Sequence, residues 1–220
     1  MKSKKTDLRS TRKGGFYADG YPSVTTILRN LDKPALNKWL CKQTFEAALN
    51  GAETFSESQK AVTKISRKAM DIGLAVHKYV EFYKTDQQPD LLPGFAKYYD
   101  AFHSWLIDYK PKIVANEVTV TSKEFVYKGT ADLLAKIDGK NCLVDLKTGK
   151  GIYETVGIQA SAYKQAFEEQ EDEKIDEIWC LLLEKGFDGE PTGEYKFEKL
   201  DYRPEIFNAL VKIFWWKNEK

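Results

Sequence analysis

Sulfur is scarce in this chain of 220 residues, and what there is cannot build a framework. Its three cysteines, Cys41, Cys142 and Cys180, are far apart, odd in number and without C-x-x-C spacing, which argues against a disulfide scaffold and for reduced thiols. Charge of one sign is lacking too: 34 Lys and Arg stand against 33 Asp and Glu, a net +1. No global positive field announces a nucleic acid, so any such groove must come from local clustering. No apolar run is long enough to span a bilayer, and the N-terminus lacks the apolar centre of a secretory signal. These absences point to an intracellular protein in a reducing compartment. Internal repeats and low-complexity tracts are absent as well.

What is present suits one sizeable core. With 42% hydrophobic residues the chain is expected to form one domain with appended helices. Residues 1–20 are expected to be a basic flexible arm, because Lys2, Lys4, Lys5, Arg9, Arg12 and Lys13 meet only Asp7 in the first thirteen positions. Residues 21–220 form the domain, helical over 21–110 and sheet-centred over 111–220. Ser23 reads as the cap of a helix through Leu31. A second helix runs from Pro34 to about Asn50, stopped by Gly51, with Leu36, Trp39, Leu40 and Phe45 toward a core. Residues 56–84 read as long helical sequence broken near Asp71-Ile72-Gly73, carrying His77. Another helix, 94–109, has Tyr98, Tyr99, Phe102, Trp105 and Leu106 at core spacing. Strands are expected at 113–121, 178–183 and 195–200, and a final helix from Pro204 with Ile206, Leu210, Ile213 and Phe214 inward. Strands interleaved with helices define an α/β or α+β fold, a central mixed sheet flanked by helices.

The segment from Gly129 to Tyr163 carries the chemistry. Asp138-Gly139 favours a type I′ hairpin turn and is flanked by Leu133, Leu134, Ile137, Leu143 and Val144. With that turn Ile137 faces Lys140, and Asp132 stands directly opposite Asp145. A Gly139-Lys140 turn would set Asp132 opposite Lys147 instead; in both cases the two acids and the lysine share one face. Facing carboxylates destabilise a sheet unless a divalent cation lies between them. Gln159 and Tyr163, four apart on a helix, project from one side of it near Lys147. Glu117, on the preceding strand, reads equally well as a solvated residue or as a support for that site.

These pieces, D, D-x-K and Q-x-x-x-Y in that order, resemble the PD-(D/E)xK nuclease superfamily in its RecB-like branch, among it the mitochondrial genome maintenance exonucleases and the single-domain exonucleases of phages and bacteria. Asp132 matches the acid of G-x-x-D, Asp145 and Lys147 the D-x-K, and Gln159 and Tyr163 the Q-x-x-x-Y. His77, in GLAVH, matches the histidine of motif one. The likeness covers roughly residues 21–170.

The resemblance implies a restriction-endonuclease-like core and a metal-dependent DNA exonuclease in repair, recombination or replication, within a bacterial or phage-infected cytoplasm. His77, Asp132, Asp145 and the carbonyl of Leu146 would hold one or two Mg²⁺ or Mn²⁺ ions. Lys147, with a lowered pKa, would orient or deprotonate the attacking water. Gln159 and Tyr163 would support that water or the phosphate, Lys150 would contact a phosphate and Tyr153 would stack on a base. The partner would be DNA, single-stranded at the ends, with no membrane involved. Three cysteines fall short of the four that hold an iron–sulfur cluster in some members, so none is expected. A structure-specific or restriction-type endonuclease and a non-catalytic DNA-binding subunit are the competing readings.

Overall fold

A computed structural model describes residues 15–83, 85–90, 92–186 and 188–219. The basic stretch at positions 1–13 lies outside them. The chain divides into two compact units, one of Leu31–Leu91 and one of the segments on either side of it. This differs from the division at residue 110 read from the sequence: the first and fourth helices belong with the sheet.

In the sheet unit, Ser23 caps a short helix α1 (Val24–Ile27), its hydroxyl accepting from the Thr26 amide at 3.1 Å, and the chain continues as a 3-10 turn over Leu28–Asn30. Residues 15–20 are not a loose arm: the Ser23 amide donates to the Gly15 carbonyl at 2.9 Å, and Phe16 bridges to Pro22. Helix α4 (Ala96–Tyr109) is followed by strands β1 (Lys112–Ser122), β2 (Tyr127–Ile137) and β3 (Lys140–Gly149), then α5 (Glu154–Gln170), β4 (Glu177–Lys185), β5 (Pro191–Lys199) and α6 (Pro204–Asn218). The five strands lie in sequence order, antiparallel throughout except for β3 beside β4, which α5 connects. The fold is thus α+β, a mixed sheet with flanking helices.

Asp138 and Gly139 both take positive φ, 50° and 79°, as a type I′ turn requires. Ile137 accordingly faces Lys140 and Leu133 faces Val144. The parallel pair sits centrally and reads as near-continuous apolar sequence, with Val144, Leu146, Leu181, Leu182 and Leu183 all buried. Val144 pairs with Trp179 and Leu181 with Phe197, on the face where Trp105 of α4 meets Phe197 edge-on at 5.5 Å. Asp145 pairs with Cys180 and Lys147 with Leu182, on the opposite face, where Val156 of α5 packs against Cys180 and Leu182. In α6 the buried stripe is Phe207, Leu210, Val211 and Phe214, while Ile206 and Ile213 are exposed, contrary to the sequence reading. The stripe is rotated because Phe207 meets Tyr127 at 4.9 Å and Phe214 meets Phe16 at 5.8 Å.

In the other unit, α2 (Pro34–Leu49) packs on α3 (Phe55–Glu81). Thr54 and Glu57 form a capping box at the start of α3. The helix runs unbroken through Asp71-Ile72-Gly73, because one glycine costs a long helix only about 1 kcal/mol. Helix α2 buries none of its residues, and Leu36, Leu40 and Phe45 stay exposed instead of entering a core. Among the described residues no helix is long and apolar enough to cross a membrane.

Candidate metal centre

The site grows out of two gaps in the sheet's backbone ladder. Pairing of β1 with β2 runs through Asn116↔Leu133 and Val118↔Ala131 but skips the step between them, where Glu117 stands opposite Asp132. Glu117 has φ +50°, a left-handed conformation that costs a non-glycine residue about 1–2 kcal/mol. Pairing of β2 with β3 stops at Leu133↔Val144, one step short of Asp132 and Asp145. There the Asp132 carboxylate takes over the work of a backbone carbonyl and accepts from the Leu146 amide at 2.8 Å. The register expected from the Asp138-Gly139 turn thus holds, and the alternative with Asp132 opposite Lys147 does not.

Three acids from three adjacent strands converge at this opening. A carboxylate oxygen of Glu117 lies within 4.8 Å of one of Asp132. Asp132 is 8% exposed and Asp145 1%, and Asp145 forms an ion pair with Lys147, two residues along the same strand. Burial pushes the Lys147 ammonium down, but the charges of Asp145 and Asp132 push it up and prevail, so its pKa is raised. This corrects the lowered value expected from the sequence: two nearby carboxylates outweigh desolvation, and Lys147 stays a cation. Gln159 donates to the Tyr163 phenol oxygen at 2.7 Å, as their spacing on α5 predicts. Burial, then Asp145 and Asp132, hold that phenol well above its ordinary pKa, so it remains protonated.

Gly129 shows why a glycine stands three residues before Asp132. A Cβ there would lie 2.4 Å from Cε1 of Tyr163 and 3.1 Å from Cγ2 of Val24, so the bare backbone is what lets the Tyr163 ring lie flat against β2. Tyr17, which the sequence reading passed over, also belongs here. It is buried, and its phenol acts electrostatically on that of Tyr163. It is held by a turn and by Lys128, which pairs with Asp19 and lies 5.9 Å from the Tyr17 ring centroid. Only a compact turn in Tyr17-Ala18-Asp19-Gly20 signals this in the sequence.

The other expected residues fall as follows. Leu146 is buried on β3, next to Asp145 in sequence, with its amide donating to Asp132. Lys150 and Tyr153 are exposed in the turn before α5, Tyr153 being the N-cap residue of that helix. His77 is on α3, in the helical unit. Cys180, beside Asp145, has its thiol pushed up to about 12, by burial first and then by Asp145, and stays neutral.

The donor set is one of hard oxygens, which suits Mg²⁺ or Mn²⁺. The Glu117 and Asp132 carboxylate oxygens, within 4.8 Å of one another, are near enough to serve one such ion together. Three carboxylates brought this close repel one another, and a divalent cation is a species that would relieve that repulsion.

No family model matches this chain, and no curated protein matches it. Among solved structures it is similar to one described as "Crystal structure of SSO0001", at TM-score 0.34 and 11% identity over 81% of this chain and 84% of that one. So slight a likeness carries no argument about fold or function.

Proposed function

We propose that this chain is a Mg²⁺- or Mn²⁺-dependent deoxyribonuclease of the PD-(D/E)xK type, acting as an exonuclease on single-stranded DNA ends inside a cell. The observation that carries the reading is the convergence of Glu117, Asp132 and Asp145 with Lys147 at a break in the sheet, beside the Gln159–Tyr163 pair. A polar opening of this kind in the middle of a buried ladder has no use to folding and a direct use to phosphodiester hydrolysis.

A divalent cation bound there supplies an activated water and neutralises charge on the phosphate. The chain's own residues do the rest. Asp132, Asp145 and Glu117 hold the cation, with His77 and the Leu146 carbonyl as the further ligands that the resemblance assigns. Lys147, an ammonium, donates to a phosphate oxygen and orients the attacking water. Tyr163, a protonated phenol, donates to the same group, and Gln159 fixes its orientation. Lys150 and Tyr153, exposed at the mouth, meet the flanking strand.

The test is cleavage of end-labelled linear and circular single-stranded DNA, with Mg²⁺, Mn²⁺ or chelator. Linear strands should shorten progressively and closed circles persist. Asp132→Asn and Asp145→Asn should each lose more than the ~100-fold that changes behind a metal ligand cost, while DNA binding survives. Rapid nicking of circles would move the assignment to an endonuclease, and binding without any cleavage to a non-catalytic subunit. Near-normal turnover in both variants would end the nuclease reading.

A further inference from the structure

The two edges of the sheet are guarded unequally. At one edge β1 carries a bulge between Ile113 and Ala115 and the left-handed Glu117, both of which spoil pairing with a further strand. The end of β1 is covered as well: the Thr121 amide donates to Gln170 at 3.1 Å, and the Lys123 and Glu124 amides just beyond donate to Glu169 at 2.7 and 3.0 Å. The other edge, β5, keeps one register with β4 from Tyr195 to Lys199, with no positive φ in that run. Its register shift and its one proline, Pro191, lie before Tyr195. Phe197 also fixes the strand in place, stacked on Trp179 at 4.5 Å and meeting Trp105 of α4 edge-on at 5.5 Å.

Where the outer backbone groups of β5 point follows from one bond. The Leu200 amide donates to the Ile178 carbonyl at 2.9 Å, so in this antiparallel ladder Glu198 and Lys196 also turn their backbone groups toward β4. Tyr195, Phe197 and Lys199 therefore turn theirs outward, and among the described residues these three amides and three carbonyls have no hydrogen-bond partner. A row of this kind accepts an extended strand, and the side chains select which. Lys196, half exposed, and Glu198, exposed, share one face of β5. If two β5 strands pair antiparallel with Tyr195 opposite Phe197 of the copy, Lys196 meets Lys196 and Glu194 meets Glu198, and like charges repel. One step along, with Phe197 opposite Phe197, each Lys196 faces Glu198 of the copy, Tyr195 faces Lys199, and every outward group of the three residues is used. The opposite step, with Tyr195 on Tyr195, brings Gly193 at φ +90° into the ladder and leaves Lys199 unused. A net charge of +1 sets no overall repulsion against association.

We propose that two copies of this chain pair antiparallel through β5, centred on Phe197, into one sheet of ten strands. The two-fold axis stands normal to the sheet, so the faces that bear Asp145 and Lys147 lie on the same side of it. Pairing of this kind is independent of what the carboxylate centre does.

Sedimentation equilibrium tests it. One pair of strands is a small contact, so the mass should rise from that of one chain toward twice that value over roughly 1–500 µM and fall again on dilution. Lys196→Glu and Glu198→Lys should each weaken the dimer on the order of tenfold, because each sets two like-charged pairs across the two-fold axis. An equimolar mixture of the two variants should pair at least as tightly as the parent, since each then supplies the sign that the other lacks. In the parent, the amides of Tyr195, Phe197 and Lys199 should exchange with deuterium more slowly as concentration rises, while those of β1 do not change. A protein with the mass of one chain throughout that range overturns the pairing. So does a dimer that both variants leave intact, or one that both abolish and the mixture does not restore.

Discussion

The two ends of the β2–β3 hairpin obey different rules. At the turn end the ladder is complete from Ile137↔Lys140 to Leu133↔Val144, and its ion pairs are on the surface: Glu177 of β4 accepts from Lys140 at 2.6 Å and from Lys199 at 2.8 Å. At the far end the ladder stops, the charges are buried, and Asp132 stands in for a backbone acceptor. Where main-chain pairing closes on itself, side chains only decorate it. Where it opens, a buried carboxylate replaces it, as Asp132 does for the Leu146 amide. The open end therefore gives up stability that a continuous ladder would supply.

The comparison breaks first if the two lysines matter equally. Lys147→Met leaves the Asp145 carboxylate buried without its ammonium and should cost about 3 kcal/mol in metal-free protein, measured by denaturant unfolding. Adding Asp145→Asn should recover most of that loss. Because the Lys147 pKa is raised, the pair's contribution is complete below the ordinary lysine value of about 10.5 and is lost only as pH climbs through the folded value. Unfolding free energy should therefore show no step from this pair between pH 7 and 9.

A smaller effect is expected at Gly129, the contact that braces the open end. Gly129→Ala should cost about 2 kcal/mol, since the new methyl meets the Tyr163 ring and the core has no room to shift it. Tyr163→Ala in that background should cost less than the two changes summed, a non-additivity readable in a double-mutant cycle. Additive losses would show that the ring and the glycine do not constrain each other.

The third expectation has the opposite sign. Glu117→Gly relieves a left-handed backbone and removes one of three crowded carboxylates, so thermal unfolding should show a gain of about 1 kcal/mol while metal-dependent cleavage falls. Glu117→Gln should lose cleavage without that gain. A destabilised Glu117→Gly protein would mean that the positive φ is not a strain the site imposes.

The smallest effect belongs to the turn end. Glu177 has its pKa lowered to about 2, mainly by the hydrogen bonds from Lys140 and Lys199. Its contribution is present above the ordinary value of 4.5 and fades as pH falls from there toward 2. Both lysines are more than half exposed, so solvent screening keeps that contribution below about 1 kcal/mol, and Glu177→Gln should flatten the acid limb of the stability profile by no more than this. A larger loss than that of Lys147→Met would invert the comparison.

The sequence by itself determined what depends on neighbours a few residues away. Asp138-Gly139 specified the turn because two positive φ angles suit that pair, and the turn specified the register that sets Asp132 against Asp145. Strand alternation put Asp145 and Lys147 on one face, and the four-residue spacing of a helix joined Gln159 to Tyr163. Tertiary structure decided the rest, because the deciding contacts join segments far apart in the chain. Nothing local to α2 shows that Leu36, Leu40 and Phe45 stay exposed, since a hydrophobic stripe records only that a face could be buried. The rise in the Lys147 pKa depends on how near two acids come, one of them on another strand, and the sign of such a balance cannot be read from residue types. Gly129 needs its bare backbone for a ring 34 positions later, Tyr98 and Lys185 meet across 87 positions, and the left-handed Glu117 stands opposite Asp132 of another strand.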